Sequence, residues 1–514
     1  MTELDNTPHT PASVWQSVGL SAVWRSPVVL FYSLLLLAFC YRCYLIWQPY
    51  VGLFYDEIYY YHWSLSPDLG YYSKPPMLAW LIGAFTSIAG DSKEVIKFSA
   101  LCAWTLTSWV VYRIGSDFGG RHSGAAAGLL FSSMPLVGFY SLFITTDSVL
   151  LLFWSLSLWQ LLWAFKTGAL YRWALVGLFA GCGMLSKYNF AVFPLTVFIY
   201  LLLNRERRPI LSQAGPWLAV LISAALFSLN VYWNYQNHWV SWQHTAEISQ
   251  LSGNLIHPLK LLEFLVSQLF LLGLVSAYLL WRNWRMVASL IHQQEWARVV
   301  LWPGVGLLTL IAVQALFSRA FANWAAPALI SAVLLLGAVL RERPKSLMVA
   351  VVCNWLLLAI FYHYPVLLKQ AGVESTTKNN PYERVLGWDE LGNRLQHYKA
   401  DYPAAVLASD SRKLLAYFGY YLYPGSNNFA YWNEDAGHIQ DYYDLKNNFS
   451  YWQNNDRQEF LFLTNSPVAA PFIERFMDVQ LLETIQDYHV TSGKLLYIYW
   501  LRGFHGYGEM VPKQ

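Results

Sequence analysis

Long apolar runs alternate with short polar connections along the first two thirds of the chain. Because a transmembrane helix needs about 20 predominantly apolar residues, with a range of about 17–25, the runs predict about eleven spans. We place them at roughly 28–48, 95–114, 123–143, 148–165, 172–186, 189–203, 214–232, 261–281, 298–316, 324–340 and 346–364. The pattern therefore predicts a polytopic α-helical membrane protein.

One apolar run, at 78–89, is too short for a span. At about 1.5 Å per residue it covers much less than a hydrocarbon core about 30 Å thick. We therefore predict a helix that lies in the membrane interface, within a first outer loop at 49–94.

The positive charges favour this arrangement. If the N-terminus is cytoplasmic and 78–89 does not cross, every strongly basic short connection is cytoplasmic, as the positive-inside rule requires. Those connections contain Arg113 and Arg121, Lys166 and Arg172, Arg205 to Arg208, Arg282 and Arg285, and Arg341 to Lys345. The first outer loop and the C-terminal segment then share the outer side.

The last part of the chain, 365–514, is polar, and its short apolar runs predict buried strands. These runs are at 404–408, 460–463 and 494–499. The stretch 389–398 predicts a helix, with Asp389 as a possible N-cap. We predict a cytoplasmic segment at 1–27, a transmembrane domain at 28–364 and an outer soluble α/β domain at 365–514.

Composition agrees with a membrane protein. The 514 residues are 56% hydrophobic and 13% charged, whereas soluble domains carry about 25% charged residues. The formal net charge of +3 is too small to indicate a nucleic-acid partner. The lipid bilayer is the partner that this composition predicts.

The most informative polar stretch follows the first span. It places Asp56 and Glu57 directly after that span, and Lys74 with a Pro-Pro pair directly before the interfacial run. Tyrosines and a tryptophan fill the interval. Further polar groups of both signs share the outer side: Thr146-Asp147, Lys187-Tyr188, His244 in the loop 234–260, and Arg319. Acids, cations and rings at the mouth of a membrane span indicate a reaction site at the membrane surface.

These motifs resemble those of the GT-C glycosyltransferases of the protein-mannosyltransferase type. That group includes protein O-mannosyltransferases, aminoarabinose transferases and many bacterial relatives. The resemblance rests on three motifs: Tyr55-Asp56-Glu57, the run from Gly70 to Pro76, and Thr146-Asp147. It implies transfer of a sugar from a polyprenyl-phosphate donor, with inversion, to an acceptor on the outer face. In a bacterium, that places the active site and the C-terminal domain in the periplasm, on the inner membrane.

The resemblance implies a role for Asp56, and the physical chemistry of such a reaction suggests roles for the other residues. Asp56 would be the catalytic base, and Glu57 and Asp147 would be second acids. Cations that stabilise the departing phosphate would be Lys74, Lys187 and Arg319. Side chains that contact sugar or lipid would be Tyr59, Tyr60, Tyr72, Tyr188 and His244. A divalent metal is possible but no motif demands one, and Ser73 stands where aminoarabinose transferases carry an acid.

Several alternatives stay open from the sequence. Glu57 could pair with a cation or cap its helix, Lys74 could be an interface anchor, and Asp147 could be an N-cap. The acceptor could be lipid A or other lipopolysaccharide, another envelope glycan, or a protein. A transporter of a lipid-linked or small solute is the main alternative class, although transporters place ionisable groups near the membrane midplane.

Overall fold

The computed structural model describes residues 26–249, 256–376, 378–435, 438–453, 455–486 and 494–507. The predicted cytoplasmic segment at 1–27 lies almost wholly outside the described residues. The prediction for the loop 234–260 is tested only in part, because 250–255 are also outside them.

The first two thirds of the chain form a helical bundle. Its helices are α1 (Pro27–Ile46), α2 (Tyr55–Ser64), α3 (Met77–Ala89), α4 (Lys93–Gly119), α5 (Arg121–Ser133), α6 (Pro135–Tyr140), α7 (Thr146–Thr167), α8 (Leu170–Met184), α9 (Val192–Leu203), α10 (Ala214–Gln236), α11 (Val240–Ser249), α12 (Pro258–Leu272), α13 (Leu274–Arg282), α14 (Trp284–Gln293), α15 (Glu295–Phe317), α16 (Ala326–Leu340), α17 (Pro344–Tyr362) and α18 (Tyr364–Gln370). Every predicted span coincides with helix, and the prediction of a polytopic α-helical membrane protein is confirmed.

By length and composition, fewer helices in the described part of the chain than the eleven predicted spans qualify as candidate membrane spans. Within the described ranges, seven helices are long and apolar enough, and the bent pair α12–α13 would make eight. The predicted spans at 172–186 and 189–203 fall in helices of 10–17 residues. The span at 123–143 is broken at Met134, between α5 and α6. Hydropathy alone does not reveal these breaks.

The predicted span at 261–281 is bent. Helices α12 and α13 meet at Gly273 with a bend of 100°. Gly273 has a φ of +92° and lies against the side chain of Asn354, a conformation that glycine adopts without steric cost. The apolar composition continues across the bend, so the sequence pattern does not show it.

Helix α3 has the length predicted for an interfacial helix. Its 13 residues bury Leu78, Ala79 and Ile82, whereas Ile88 is 88% exposed. The helix packs against α2 and α4. This amphipathic placement beside α2 puts an apolar surface next to the candidate site.

The C-terminal part contains a five-stranded mixed sheet with helices, and the predicted soluble α/β domain is confirmed in kind. Its strands are β1 (Val406–Ser409), β2 (Phe429–Tyr431), β3 (Asn455–Thr464), β4 (Phe476–Gln486) and β5 (Leu495–Phe504), in the order β2-β1-β3-β5-β4. Strand β1 pairs in parallel with β2 and β3, and β5 pairs antiparallel with β3 and β4. Its helices are α19 (Trp388–Arg394), α20 (Gln396–Asp401), α21 (Arg412–Leu422), α22 (Tyr442–Asn447) and α23 (Ala470–Ile473).

The three strands predicted from apolar runs correspond to β1, β3 and β5, whereas β2 and β4 were not predicted. Strand β2 has only three residues, and β4 is largely exposed. The predicted helix at 389–398 is two short helices. Asp389 is not the N-cap of α19, because Gly387 holds that position and Asp389 lies in the first turn.

The C-terminal domain packs directly on α2. A single hydrophobic cluster includes Tyr59 and Trp63 of α2 together with Leu414, Tyr442 and Tyr443 of the domain. Burial of such large rings is a strong contribution to association, at about 25 cal/mol per Å² of apolar surface. Helix α2 is therefore shared between the bundle and the domain.

Candidate active site

Helix α2 carries the two adjacent acids, and it directs them to different surroundings. Glu57 is buried and accepts hydrogen bonds from Lys97 at 2.8 Å to both of its oxygens. The backbone amides of Phe54 and Ile144 donate to the same carboxylate at 2.8 and 2.7 Å. Glu57 therefore pairs with a cation and closes the start of α2, and its oxygens accept four hydrogen bonds from three donor groups.

Asp56 faces the opposite way, towards the C-terminal domain. Its Oδ1 is 3.0 Å from Nη2 of Arg412, and about a third of each side chain is exposed. Burial raises the pKa of Asp56, whereas the charges of Arg412 and Lys74 lower it. Asp56 is thus a partly accessible carboxylate with a single ion-pair partner among the described residues. Those are the properties of a general base, which must be reached by the proton it accepts.

Lys74 lies in the loop just before α3. A tight turn fixes its backbone, since Lys74 and Tyr71 exchange hydrogen bonds at 3.0 and 3.3 Å. Burial and the nearby charge of Lys187 lower the pKa of Lys74 to about 8, against the opposing effect of Asp147 and Asp56. Within the part of the chain that the structure describes, Lys74 forms no ion pair. A half-buried ammonium beside a second one favours binding of an anion.

Lys187 and Asp147 form a second ion pair at this face. The Lys187 ammonium is 2.8 Å from Oδ1 of Asp147, and the Asn323 amide donates to Oδ2 at 2.5 Å. Asp147 is buried in the first turn of α7, after an N-cap at Thr145. The N-cap interpretation of Asp147 is therefore wrong, and its carboxylate joins three outer connections.

Aromatic side chains line the space around these charges. Tyr60 lies near both Asp56 and Asp147, whose charges raise its pKa after the larger effect of burial. Tyr72 contacts the His244 ring, with 4.7 Å between ring centroids. Burial and the charge of Lys74 lower the pKa of His244 to about 4, so its imidazole is neutral at pH 7.

The other two predicted contact residues are held by neighbours. The Tyr59 hydroxyl accepts a hydrogen bond from the backbone of Tyr442 at 2.5 Å, and its ring is buried. Tyr188 donates to Asn230 at 3.1 Å and accepts from Asn234 at 3.3 Å. Tyr188 therefore holds α10 close to the loop that carries Lys187.

The structure does not bring Arg319 into this cluster. Its side chain is exposed and lies over the ring of Phe321 at 4.4 Å. Among the described residues, no group of three or more His, Cys, Asp or Glu side chains is arranged to hold a metal ion. Glu57 and Asp147 are each paired with a lysine.

Two residues at the site escaped the sequence prediction. Arg412 lies 356 positions after Asp56, in a domain for which the sequence showed no motif. Asn323 lies 176 positions after Asp147 and is one amide among many. Only the folded arrangement of distant segments identifies either residue.

Comparison with known proteins adds independent evidence. Residues 73–233 match the family model described as dolichyl-phosphate-mannose-protein mannosyltransferase. The lipid A galacturonosyltransferase RgtD of Rhizobium johnstonii is 26% identical over 400 residues, which cover 76% of this chain and 82% of that protein. The crystal structure of ArnT from Cupriavidus metallidurans in the apo state superposes with a TM-score of 0.61 at 14% identity, covering 93% of this chain and 98% of that one.

The chain is a glycosyltransferase with the GT-C fold. A second sequence relative of this glycosyltransferase is the undecaprenyl phosphate-alpha-4-amino-4-deoxy-L-arabinose arabinosyl transferase of Pseudomonas savastanoi pv. phaseolicola, 24% identical over 194 residues that cover 36% of each protein. The ArnT structure bound to undecaprenyl phosphate superposes with a TM-score of 0.59 at 14% identity, covering 92% and 97% of the two chains. The matched region of the glycosyltransferase family includes Lys74, Asp147 and Lys187.

Proposed function

We propose that the enzyme transfers a sugar from an undecaprenyl-phosphate-type donor to lipid A or another part of lipopolysaccharide. The observation that carries this proposal is that Lys74 lies close enough to both the accessible carboxylate of Asp56 and the ammonium of Lys187 for their charges to act on it. The donor phosphate needs a cation to bind it, and the acceptor hydroxyl needs a carboxylate to take its proton. The names of the relatives RgtD and ArnT supply the donor and acceptor classes.

In the proposed reaction, Asp56 accepts the proton of an acceptor hydroxyl while that oxygen attacks the anomeric carbon. The bond between the anomeric carbon and the phosphate oxygen breaks, and configuration inverts. The polyprenyl phosphate leaves with the bonding electrons, so negative charge grows on its oxygens. The Lys74 ammonium stabilises that charge, supported by Lys187, and this interaction strengthens in the transition state.

Asp147 acts as a positioning residue in this proposal. Its two oxygens accept hydrogen bonds from Lys187 and Asn323, so both are engaged by protein partners. It keeps Lys187 next to Lys74 and prevents the ammonium from turning into solvent. The apolar surface of α3 lies beside the phosphate site and supports the prenyl chain.

We also propose the location of these events. By the positive-inside rule, the basic connections between the spans are cytoplasmic. We infer that Asp56 and the C-terminal domain lie on the periplasmic side of the bacterial inner membrane. Reaction of a thiol introduced at exposed Val373 with an impermeant reagent in intact spheroplasts tests this. The native cysteines are replaced first, and labelling only after lysis would contradict the orientation.

The decisive experiment uses the purified full chain with a radiolabelled polyprenyl-phosphate sugar pool and total envelope lipid. Wild type is compared with Asp56→Asn, which keeps the shape and removes the base. We expect label in lipid A with wild type and a loss of about 10²–10⁴-fold in the variant, the usual contribution of a general base. Undecaprenyl phosphate binding should be retained.

Each other outcome has a clear meaning. Label in the protein fraction would replace the glycolipid acceptor by a protein, as the description of the matched family suggests. Full transfer by Asp56→Asn would remove Asp56 as the base. Failure of wild type with all donors and acceptors, together with movement of the carrier across liposomes, would instead indicate a transporter.

A further inference from the structure

The C-terminal domain reaches the candidate base through Arg412. This residue begins α21, directly after β1 and the N-cap Ser411, whose side chain accepts from Leu414. The turn is tied to the sheet, because the Ser409 hydroxyl accepts from the backbone of Ser411 at 3.0 Å and donates to Leu463 at 2.5 Å. Arg412 therefore projects from a rigid strand-to-helix junction.

The guanidinium of Arg412 is confined on more than one side. It is 5.2 Å from the ring centroid of Tyr55 and 4.9 Å from that of Tyr59, within the range of cation–π attraction. Its Nη2 is 3.0 Å from Oδ1 of Asp56. Tyr55 and Tyr59 flank Asp56 on successive turns of α2, so the rings and the carboxylate form one receptor for the guanidinium.

The same domain also holds the aromatic wall in place. The backbone amide of Tyr442 donates to the Tyr59 hydroxyl. One turn further along α2, His62 Nδ1 and the Tyr443 hydroxyl are 2.6 Å apart. Docking of the domain therefore sets the positions of both Arg412 and the ring on which it stacks.

We propose that Arg412 is a positioning residue for Asp56, through which the docked C-terminal domain orients the base. One carboxylate oxygen is held by the guanidinium, and the other oxygen accepts the proton of the acceptor hydroxyl. This inference rests on the proposed function, because it concerns the base of that reaction. It assigns the domain a part in catalysis in addition to any part in acceptor binding.

Electrostatics support the geometric argument. Burial raises the pKa of Asp56, and Arg412 is the larger of the two charges that oppose the rise. The groups around this carboxylate come from four elements. They are Arg412 from α21, Asp441 and Tyr443 at α22, Lys74 before α3, and Tyr55, Tyr59 and Tyr60 on α2 itself. A base must be deprotonated to act. Loss of Arg412 should raise the pKa of Asp56, so the pH below which Asp56 is inactive should be higher than in wild type.

The experiment measures kcat against pH from 5 to 9 for wild type, Arg412→Ala and Arg412→Lys, as purified full chains. An opposite charge at this distance lowers a carboxyl pKa by roughly one to three units. We therefore expect the acidic limb of Arg412→Ala to move up by at least about one unit, which lowers kcat by about tenfold at pH values below both limbs. Arg412→Lys should restore most of the limb, because it keeps the charge without the planar fork.

Three controls separate positioning from other effects. Lys446→Ala removes another ion pair between the domain and the α2 region, with Asp68 at 3.1 Å, and should leave the limb unchanged. Asp441→Asn is needed because burial raises the pKa of Asp441 to about 6, within the same window. It should leave the shift caused by Arg412→Ala intact. The affinity for undecaprenyl phosphate should change by less than about twofold in Arg412→Ala, because Arg412 acts through Asp56.

Distinct results would overturn the inference. An unmoved acidic limb in Arg412→Ala would refute positioning, and so would an equal shift in Lys446→Ala. A weaker affinity for the carrier with an unmoved limb would make Arg412 a donor-binding residue instead. If Arg412→Ala fails to fold, Arg412→Gln and Arg412→Lys give the same comparison. Failure of the wild type to transfer would refute the proposed function itself, and full transfer by Asp56→Asn would remove Asp56 as the base; each is a separate outcome.

Discussion

Asp56 and Glu57 show how strongly surroundings decide the role of a side chain. The two carboxylates are consecutive, yet Glu57 has a lysine and two backbone amides around it while Asp56 has one arginine and is about one third exposed. Removal of one partner of a buried ion pair is strongly destabilising, because it leaves the other charge buried without compensation. The pair Glu57–Lys97 therefore has a structural role, and Asp56 is the carboxylate that the proposed mechanism uses as its base.

This contrast gives the first prediction. Lys97→Met leaves the Glu57 charge buried without its partner, so we expect a loss of about 3–5 kcal/mol in unfolding free energy. Asp56→Asn should unfold close to wild type while losing transfer. Thermal unfolding in detergent and the transfer assay measure the two properties. The double variant Glu57→Gln, Lys97→Met should be more stable than Lys97→Met alone, and the reverse order would contradict the structural role.

The second prediction concerns Lys74 and pH. Its pKa is lowered to about 8, so its charge is present below that pH and is lost as the pH rises through it. Affinity for undecaprenyl phosphate should thus fall about tenfold between pH 7 and 9, since one pH unit beyond the pKa leaves about a tenth of the group charged. Lys74→Arg should bind with little dependence on pH over this interval. Equal pH dependence in both proteins would exclude Lys74 from the phosphate site.

At the scale of elements, apolar run length located the helices but not their breaks. The bend between α12 and α13 depends on the backbone conformation of Gly273, which hydropathy does not encode. Run length predicted β1, β3 and β5 because their residues are buried together, whereas β2 is too short to form a pattern. Lys74 before α3 and Asp147 in the first turn of α7 were predicted as candidates because they adjoin apolar runs. Arg412 was not predicted, because it reaches α2 only through a tertiary contact that no local pattern in the sequence shows.

The bend is open to a direct test. Gly273→Ala places a Cβ 2.1 Å from Oδ1 of Asn354 and requires alanine at a φ of +92°. Backbone strain of this type costs about 1–3 kcal/mol, to which the clash adds. We expect a lower midpoint of thermal unfolding than for Gly372→Ala, where φ is +67° and no atom lies within 4 Å of the new Cβ. Equal midpoints would show that the bend tolerates a side chain.

At the scale of the whole molecule, the bundle and the C-terminal domain depend on each other. The domain supplies polar partners to α2 and its loop at Asp56, Tyr59, His62 and Asp68. The segment 371–374 that connects the two parts is exposed. Contacts rather than the connection therefore hold the parts together.

A cut in that connection tests this view. A protease site inserted after Gly372 should allow cleavage without separation, because the rings of Tyr59, Trp63, Tyr442 and Tyr443 stay buried at the interface. We expect the two fragments to elute together in detergent and to retain transfer. A matched insertion without a cleavage sequence controls for the added residues. Dissociation of the fragments would show that the covalent connection is required.

The approach of Lys74 and Lys187 has a consequence for regulation by product. The donor is a phosphodiester with one negative charge, whereas the carrier released after transfer is a monoester that bears nearly two at pH 7. On the proposed mechanism, two neighbouring ammonium groups hold the released carrier more tightly than the donor it came from. Turnover then depends on how quickly the membrane removes empty carrier, and the enzyme slows whenever empty carrier accumulates.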